Sequence, residues 1–133
     1  MTTHTGQCHC GELRLSLLTE KPLSPRTCQC AFCRRHGART VSDPEGQATL
    51  TLSTEAIRYR FGTRSGEYIV CARCGVYIGA VVALGGALFA TLNLNTFDDP
   101  RLDLAATPVS YAGESAMAKA GRRRRAWTPL RIV

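Results

Sequence analysis

The chain has 133 residues, of which 44% are apolar and 20% charged; that balance belongs to a folded globular protein and excludes a disordered or low-complexity chain. Its length fits a single domain over residues 1–133 with a core of modest size. A formal charge of +7 points at first to a nucleic-acid partner, but as thiolates around two divalent ions the seven cysteines would leave a net charge of about +4, which is ordinary.

The opening Met1-Thr-Thr-His-Thr-Gly-Gln has neither the basic nor the apolar segment of a secretory leader, so a reducing, cytoplasmic location is expected, with His4 in an unordered terminus. Cys8-His9-Cys10 follows. Leu13, Leu15 and Leu17 then alternate with polar residues, the period of a half-buried strand. The second cluster, Cys28-Gln-Cys30-Ala-Phe-Cys33, leads into a predicted helical turn over Phe32 to Arg39, weakened by Gly37. Ala48, Leu50 and Leu52, then Ile57, Tyr59 and Phe61, give two further alternating runs and two short strands.

Cys71-Ala-Arg-Cys74 is the third cluster, and no charged residue occurs from Gly75 to Phe97. Val76 to Leu92 approaches the length of a membrane span. Gly85-Gly86, however, divides it into halves of strand length rich in β-branched and aromatic residues, so a buried hairpin is predicted and no membrane segment. Asp98 and Asp99 beside Pro100 read as turn chemistry after a strand. Glu114 to Ala120 is the best helix, ended by Gly121. Arg122 to Arg125 reads as a solvated basic run, since no aromatic residue is interleaved to stack bases. The expected fold class is mainly β with short helical segments, and neither nucleic acid nor membrane is expected as a partner.

Cysteine clusters this tight present thiolates to a shared metal ion. A disulfide framework is disfavoured by the odd number, by the expected compartment, and by the strain of bridging thiols one or two residues apart. Four thiolates close a tetrahedral zinc site and three leave one position open, and seven cysteines supply both. Spacing leaves the division open: Cys30-x-x-Cys33 with Cys71-x-x-Cys74 would make a zinc ribbon and leave Cys8, Cys10 and Cys28 over. Arg34, Arg35 and Arg73 stand within or beside the clusters and would compensate the negative charge of thiolate sites.

The order Gly6-x-Cys8-x-Cys10-Gly11, then Cys28-x-Cys30-x-x-Cys33-Arg-Arg, then Cys71-x-x-Cys74-Gly75, then Asn95-Thr-Phe-Asp-Asp-Pro100 resembles the glutathione-dependent formaldehyde-activating enzyme family. The likeness covers about residues 6 to 100 and is less clear over 101–133. It implies an Mss4-like fold, in which zinc clamps β-sheets. By the same resemblance Cys8, Cys10, Cys71 and Cys74 would hold a structural zinc. Cys28, Cys30 and Cys33 would hold a second, catalytic and labile zinc with its fourth position open. That division suits the chain, because the four-ligand site closes a long loop while the three-ligand site is local.

The activity so implied is that of a carbon–sulfur lyase, which condenses a small-molecule thiol, glutathione, with formaldehyde or another small aldehyde. An open zinc position favours a thiolate and polarises a carbonyl, and the protein mainly orients the two reactants. His36 is the nearest candidate for proton transfer, and equally a fourth ligand or an exposed loop residue. His9, between two ligands, would point away from the metal. Arg34 and Arg35 are candidates for a glutathione carboxylate. Two other classes stay open: a zinc-stabilised binding module without catalysis, docking nucleic acid or protein through its arginines, and a thiol redox enzyme or sensor in which Cys28, Cys30 or Cys33 is oxidised.

Overall fold

The computed structural model describes all residues from 1 to 133, and in it the alternating leucines become the first ladder. β1 (Thr2–Gln7) and β2 (Arg14–Thr19) pair antiparallel from Thr2↔Thr19 to Gln7↔Arg14. That ladder orders the segment expected to be loose: His4 is a strand residue with its ring 6.4 Å from Phe97. Leu13, Leu15 and Leu17 are buried to 3% exposure or less. β3 (Arg26–Cys28), α1 (Ala31–His36) and β4 (Thr40–Val41) follow. α1 is the expected helical turn, stopped by Gly37 in the left-handed region. β5 (Gln47–Thr51) pairs with β2 and buries Ala48 and Leu50.

β6 (Ala56–Tyr59) pairs with β7 (Gly66–Cys71). Here the alternation does not mark a half-buried strand. Ile57 and Tyr59 are 47% and 50% exposed, because β6 is an edge strand with only β7 beside it. Tyr59 and Phe61 stack instead on Phe32, at 5.9 and 5.3 Å. β8 (Tyr77–Leu84) and β9 (Ala87–Asn93) form the predicted hairpin, closed by Gly85 and Gly86 at φ 59° and 80°. Glycine adopts such positive values without the clash of a β-carbon. β8 carries no polar alternation because both its faces are covered: Ile78 and Val81 lie in the main core, Ala80 and Val82 in a second cluster with Trp127.

Beyond β9 the chain makes two single 3-10 turns, Leu94–Thr96 and Pro100–Leu102; Asp99 caps the second, accepting the Arg101 N–H at 2.9 Å. β10 (Thr107–Val109) runs parallel to β3. α2 (Ala116–Ala126) begins at Ser115, whose hydroxyl accepts the Ala118 N–H at 3.1 Å. It does not stop at Gly121. Arginine is a good helix former, and the tertiary contacts of Arg122 and Arg123 carry the helix on to Trp127.

β11 (Thr128–Ile132) then splits its allegiance. Thr128 and Pro129 pair antiparallel with Ala90 and Phe89 of β9, while Leu130 to Ile132 pair parallel with Ala48 to Leu50 of β5. One strand thus joins the ladder β1-β2-β5 to β9-β4-β3-β10, and β8, β7 and β6 extend from the other side of β9. The fold is mainly β, as expected, and no helix is long and apolar enough to cross a membrane.

Where β11 changes partner, the fully buried Thr128 hydroxyl accepts the Asp43 N–H at 2.7 Å. Thr128→Val keeps the shape and orphans that N–H, so the urea midpoint should fall by the equivalent of about 1–3 kcal/mol. A loss below about 0.5 kcal/mol would show that another group takes the hydroxyl's place.

Candidate functional site

Two knuckles build the first cysteine cluster. The Cys8 N–H donates to Leu13 O at 2.9 Å and its Sγ accepts the Leu13 N–H at 3.3 Å; the Cys71 N–H donates to Val76 O at 3.0 Å. Gly11 and Gly75, at φ 85° and 79°, turn the chain back so that each sulfur pair faces one point. The Sγ atoms of Cys8, Cys10, Cys71 and Cys74 consequently lie within 4.8 Å of one another, although the pairs are far apart in sequence. Cys8 and Cys71 are buried, at 1% and 0% exposure. Arg73 beside Cys74 reaches Glu12 at 2.7 Å, an ion pair that crosses from one knuckle to the other.

The second cluster is local. Cys30 is the N-cap of α1, its Sγ accepting the Cys33 N–H at 3.4 Å, and β3 delivers Cys28 beside it. The three sulfurs lie within 4.8 Å of one another, and no fourth His, Cys, Asp or Glu atom joins them. His36 is not close enough to be that ligand; its ring packs on Phe32 and Tyr77 at 4.5 and 5.5 Å. His9 is exposed and belongs to neither cluster. Arg34 and Arg35 are exposed too, and Arg35 turns back to the Ala31 carbonyl at 3.3 Å.

The positive charge near this cluster comes from α2. A cleft of about 250 Å³ runs from Cys28 and Cys30 past Tyr111 to Glu114, Lys119 and Arg122. A smaller chamber of about 50 Å³ adjoins Cys28 and Cys33, walled by Tyr68, Tyr77, Arg123 and Trp127. Glu114 holds Arg122 through two bonds, at 2.9 and 3.0 Å, with the guanidinium 3.5 Å above the Tyr111 ring. Arg123 is 4% exposed and lies 4.7 Å over the Trp127 ring. The solvated run expected at Arg122 to Arg125 is therefore real only for Arg124 and Arg125. Helical geometry turns the first two inward. Their signal in the sequence was the four-residue step from Arg123 to Trp127, which stacks the pair only if the helix passes Gly121.

The thiols of the second cluster differ in acidity. The Cys33 thiol donates toward the Cys28 sulfur, and this, against partial burial and helped by Cys30 and by the charge of Arg122, brings Cys28 down to about 5. The same pairing pushes Cys33 well above the ordinary thiol range. Burial raises Tyr68 to about 12 despite the charge of Arg123, and raises the fully buried Tyr77 further, so both phenols keep their protons at neutral pH.

Residues 3–111 match the glutathione-dependent formaldehyde-activating enzyme family, and the chain belongs to that family. The matched span contains every cysteine and ends before α2. The crystal structure of a Rhodobacter sphaeroides protein is similar to this chain, with a TM-score of 0.62 and 28% identity over 78% of this chain and 97% of that one.

A depressed thiol is ionised above its pKa and protonated only below it. In metal-free protein Cys28 and Cys74, whose thiols are held down to about 5 and about 6, should be the thiols alkylated first by iodoacetamide near neutrality, the rate at Cys28 falling only as the pH drops toward about 5. Peptide mass spectrometry over a pH series checks this; a midpoint near the ordinary value of 9.0 would show that Cys33 and Arg122 do not act on it.

Proposed function

We propose that this protein is a zinc-dependent carbon–sulfur lyase that reversibly joins glutathione, or a similar thiol, to formaldehyde or another small aldehyde at Cys28, Cys30 and Cys33. The observation that carries the reading is the group of three sulfurs without a fourth protein ligand, opening on the 250 Å³ cleft. Soft thiolate donors in this number suit zinc. Cys8, Cys10, Cys71 and Cys74 would hold a structural ion, and Cys28, Cys30 and Cys33 one with a free position. Zinc bound there would supply a position that stabilises the thiolate form of a substrate sulfur and polarises a carbonyl.

The remaining work falls to the chain. Lys119 offers an ammonium group to a glutathione carboxylate, and Tyr111 gives the cleft an aromatic wall. Arg122, fixed by Glu114, keeps positive charge beside Cys28 and so favours sulfur in its anionic form. In the addition, sulfur bonds to the carbonyl carbon, the carbon–oxygen π pair moves to oxygen, and the thiol proton ends there as a hydroxyl. Tyr68 lines both cavities and stays protonated, so its hydroxyl can donate to that oxygen. His36, packed among rings, is not assigned as the base; water in the open cleft carries the proton. Seven free thiols fit a reducing compartment, and the proposal places the protein in the cytoplasm. It also takes residues 1–133 as one domain, because β11 is shared by the two ladders.

The unequal clusters give a metal test. A mild chelator should remove about one equivalent of zinc before the fold is lost and the second only with unfolding. Cys30→Ser should give a soluble protein with a single zinc, whereas Cys71→Ser should fail to fold; the opposite pattern would exchange the two assignments. For activity, exchange between formaldehyde and S-hydroxymethylglutathione, followed by NMR, should run faster with zinc-loaded protein than without. Cys33→Ser should abolish the acceleration with circular dichroism unchanged. An exchange rate equal to the uncatalysed one across several aldehydes would reject the enzyme reading.

A further inference from the structure

The walls of the chamber beside Cys28 and Cys33 include two residues with a buried polar atom that has nothing to bond to. Tyr77 Oη and Arg123 Nε are both buried and have no hydrogen-bond partner, and both residues line this chamber. Tyr77 is 2% exposed and Arg123 4%. Buried polar groups without partners are rare in folded proteins, and two on residues that wall the same cavity mark a place for something polar. The guanidinium is the more demanding of the two. Arg123 donates to Ser65 Oγ at 3.0 Å and toward Tyr68 Oη at 3.4 Å, both neutral, and has no carboxylate within ion-pair distance.

No neighbouring carboxylate cancels its charge. Glu114 is engaged by Arg122. Arg26 also lines the chamber, donating to Ser42 Oγ at 2.7 Å, and adds a second guanidinium without an acidic partner. A buried, permanently charged arginine is costly unless an anion meets it. A volume of about 50 Å³ gives room for on the order of four water-sized groups, the bulk of a carboxylate with its adjoining carbon. Formaldehyde would bring no charge to such a place.

We propose that this chamber is a carboxylate subsite, and that the carbonyl reactant fitting this protein is a small 2-oxo acid bearing an aldehyde. The carboxylate meets Arg123 Nε, Tyr77 Oη and Arg26, which puts the neighbouring carbonyl carbon toward Cys28 and Cys33. The chemistry is unchanged in kind: the thiol sulfur bonds to the carbonyl carbon, the carbonyl oxygen takes the thiol proton, and nothing is oxidised or reduced. The inference rests on the lyase reading for its reaction, but not for its binding.

Trp127 is the chain's single tryptophan, lines the chamber and lies under Arg123, so it reports occupancy without any turnover. Glyoxylate or acetate titrated into the metal-loaded protein at constant ionic strength should change its fluorescence saturably, whereas chloride and neutral acetamide should not. Tyr77→Phe removes only an unbonded hydroxyl, so it should fold, and it should weaken carboxylate binding by about tenfold or more. Arg123→Lys keeps the charge and loses Nε, and it should weaken binding further. A Tyr77→Phe protein that binds glyoxylate as tightly as the wild type, or a wild type that responds to chloride and carboxylates alike, would overturn the subsite. Carboxylate binding with no acceleration of glyoxylate–glutathione exchange would leave the subsite standing and overturn the 2-oxo acid as reactant, and the lyase reading would fall with it only if formaldehyde exchange were uncatalysed as well. Accelerated formaldehyde exchange with no carboxylate binding would remove the subsite alone.

Discussion

Four sulfur atoms that repel one another as thiolates sit within 4.8 Å, and they come from distant parts of the β structure. Cys8 and Cys10 follow β1, and Cys71 and Cys74 connect β7 to β8. A cation among them would offset the repulsion and close the long loop between the pairs, which would remove freedom chiefly from the unfolded chain. The same residues are part of the core. Cys8 and Cys71 belong to the main apolar cluster with Leu13, Ile69 and Ile78, so the orientation of β1-β2 against β7-β8 and the geometry of the sulfur cluster are a single constraint. The Arg73–Glu12 ion pair, exposed and of little weight by itself, only repeats that linkage at the surface.

The second cluster depends on this frame in a different manner. Its sulfurs are set by an N-cap and one helical turn, which need no distant support. Its surroundings do. Tyr68 and Tyr77 come from β7 and β8, whose positions the first cluster fixes, and Arg122, Arg123 and Trp127 come from α2. α2 is in turn located by β11, which begins one residue after Trp127 and pairs with both β9 and β5. A site built this way can rearrange its local ligands while its walls stay in place, the division needed where a reactant enters and leaves.

Local patterns were legible in the sequence and long-range partnerships were not. Leu13, Leu15 and Leu17 show period two because β2 buries one face, and Gly85-Gly86 marks a turn whose geometry excludes most other residues. The cysteine spacings are equally local signals. β11, by contrast, is a five-residue segment with a proline and an arginine, and nothing in Thr128 to Ile132 says that its partner changes from β9 to β5. β6 misleads for a related reason: its apolar residues alternate, but the edge position leaves them to an aromatic group around Phe32. Arg122 and Arg123 were hidden within a basic run because inward and outward arginines look alike until the helix has a known end.

The basic character of the chain takes on a different meaning once its ion pairs are placed. Arg39, Arg58, Arg60, Arg73, Arg101 and Arg122 all reach carboxylates within 4.0 Å, so the net charge of +7 rests on the cations outside these pairs. Two arginines without an acidic partner lie beside the three-cysteine cluster, the half-buried Arg26 and the buried Arg123. A nucleic-acid surface would distribute its charge over exposed positions along a groove. Arg14, Arg34, Arg35, Arg64, Arg124, Arg125 and Arg131 are exposed, whereas Arg123 and in part Arg26 turn their charge toward sulfur and toward a chamber too small for a nucleotide, as a small anionic reactant would require.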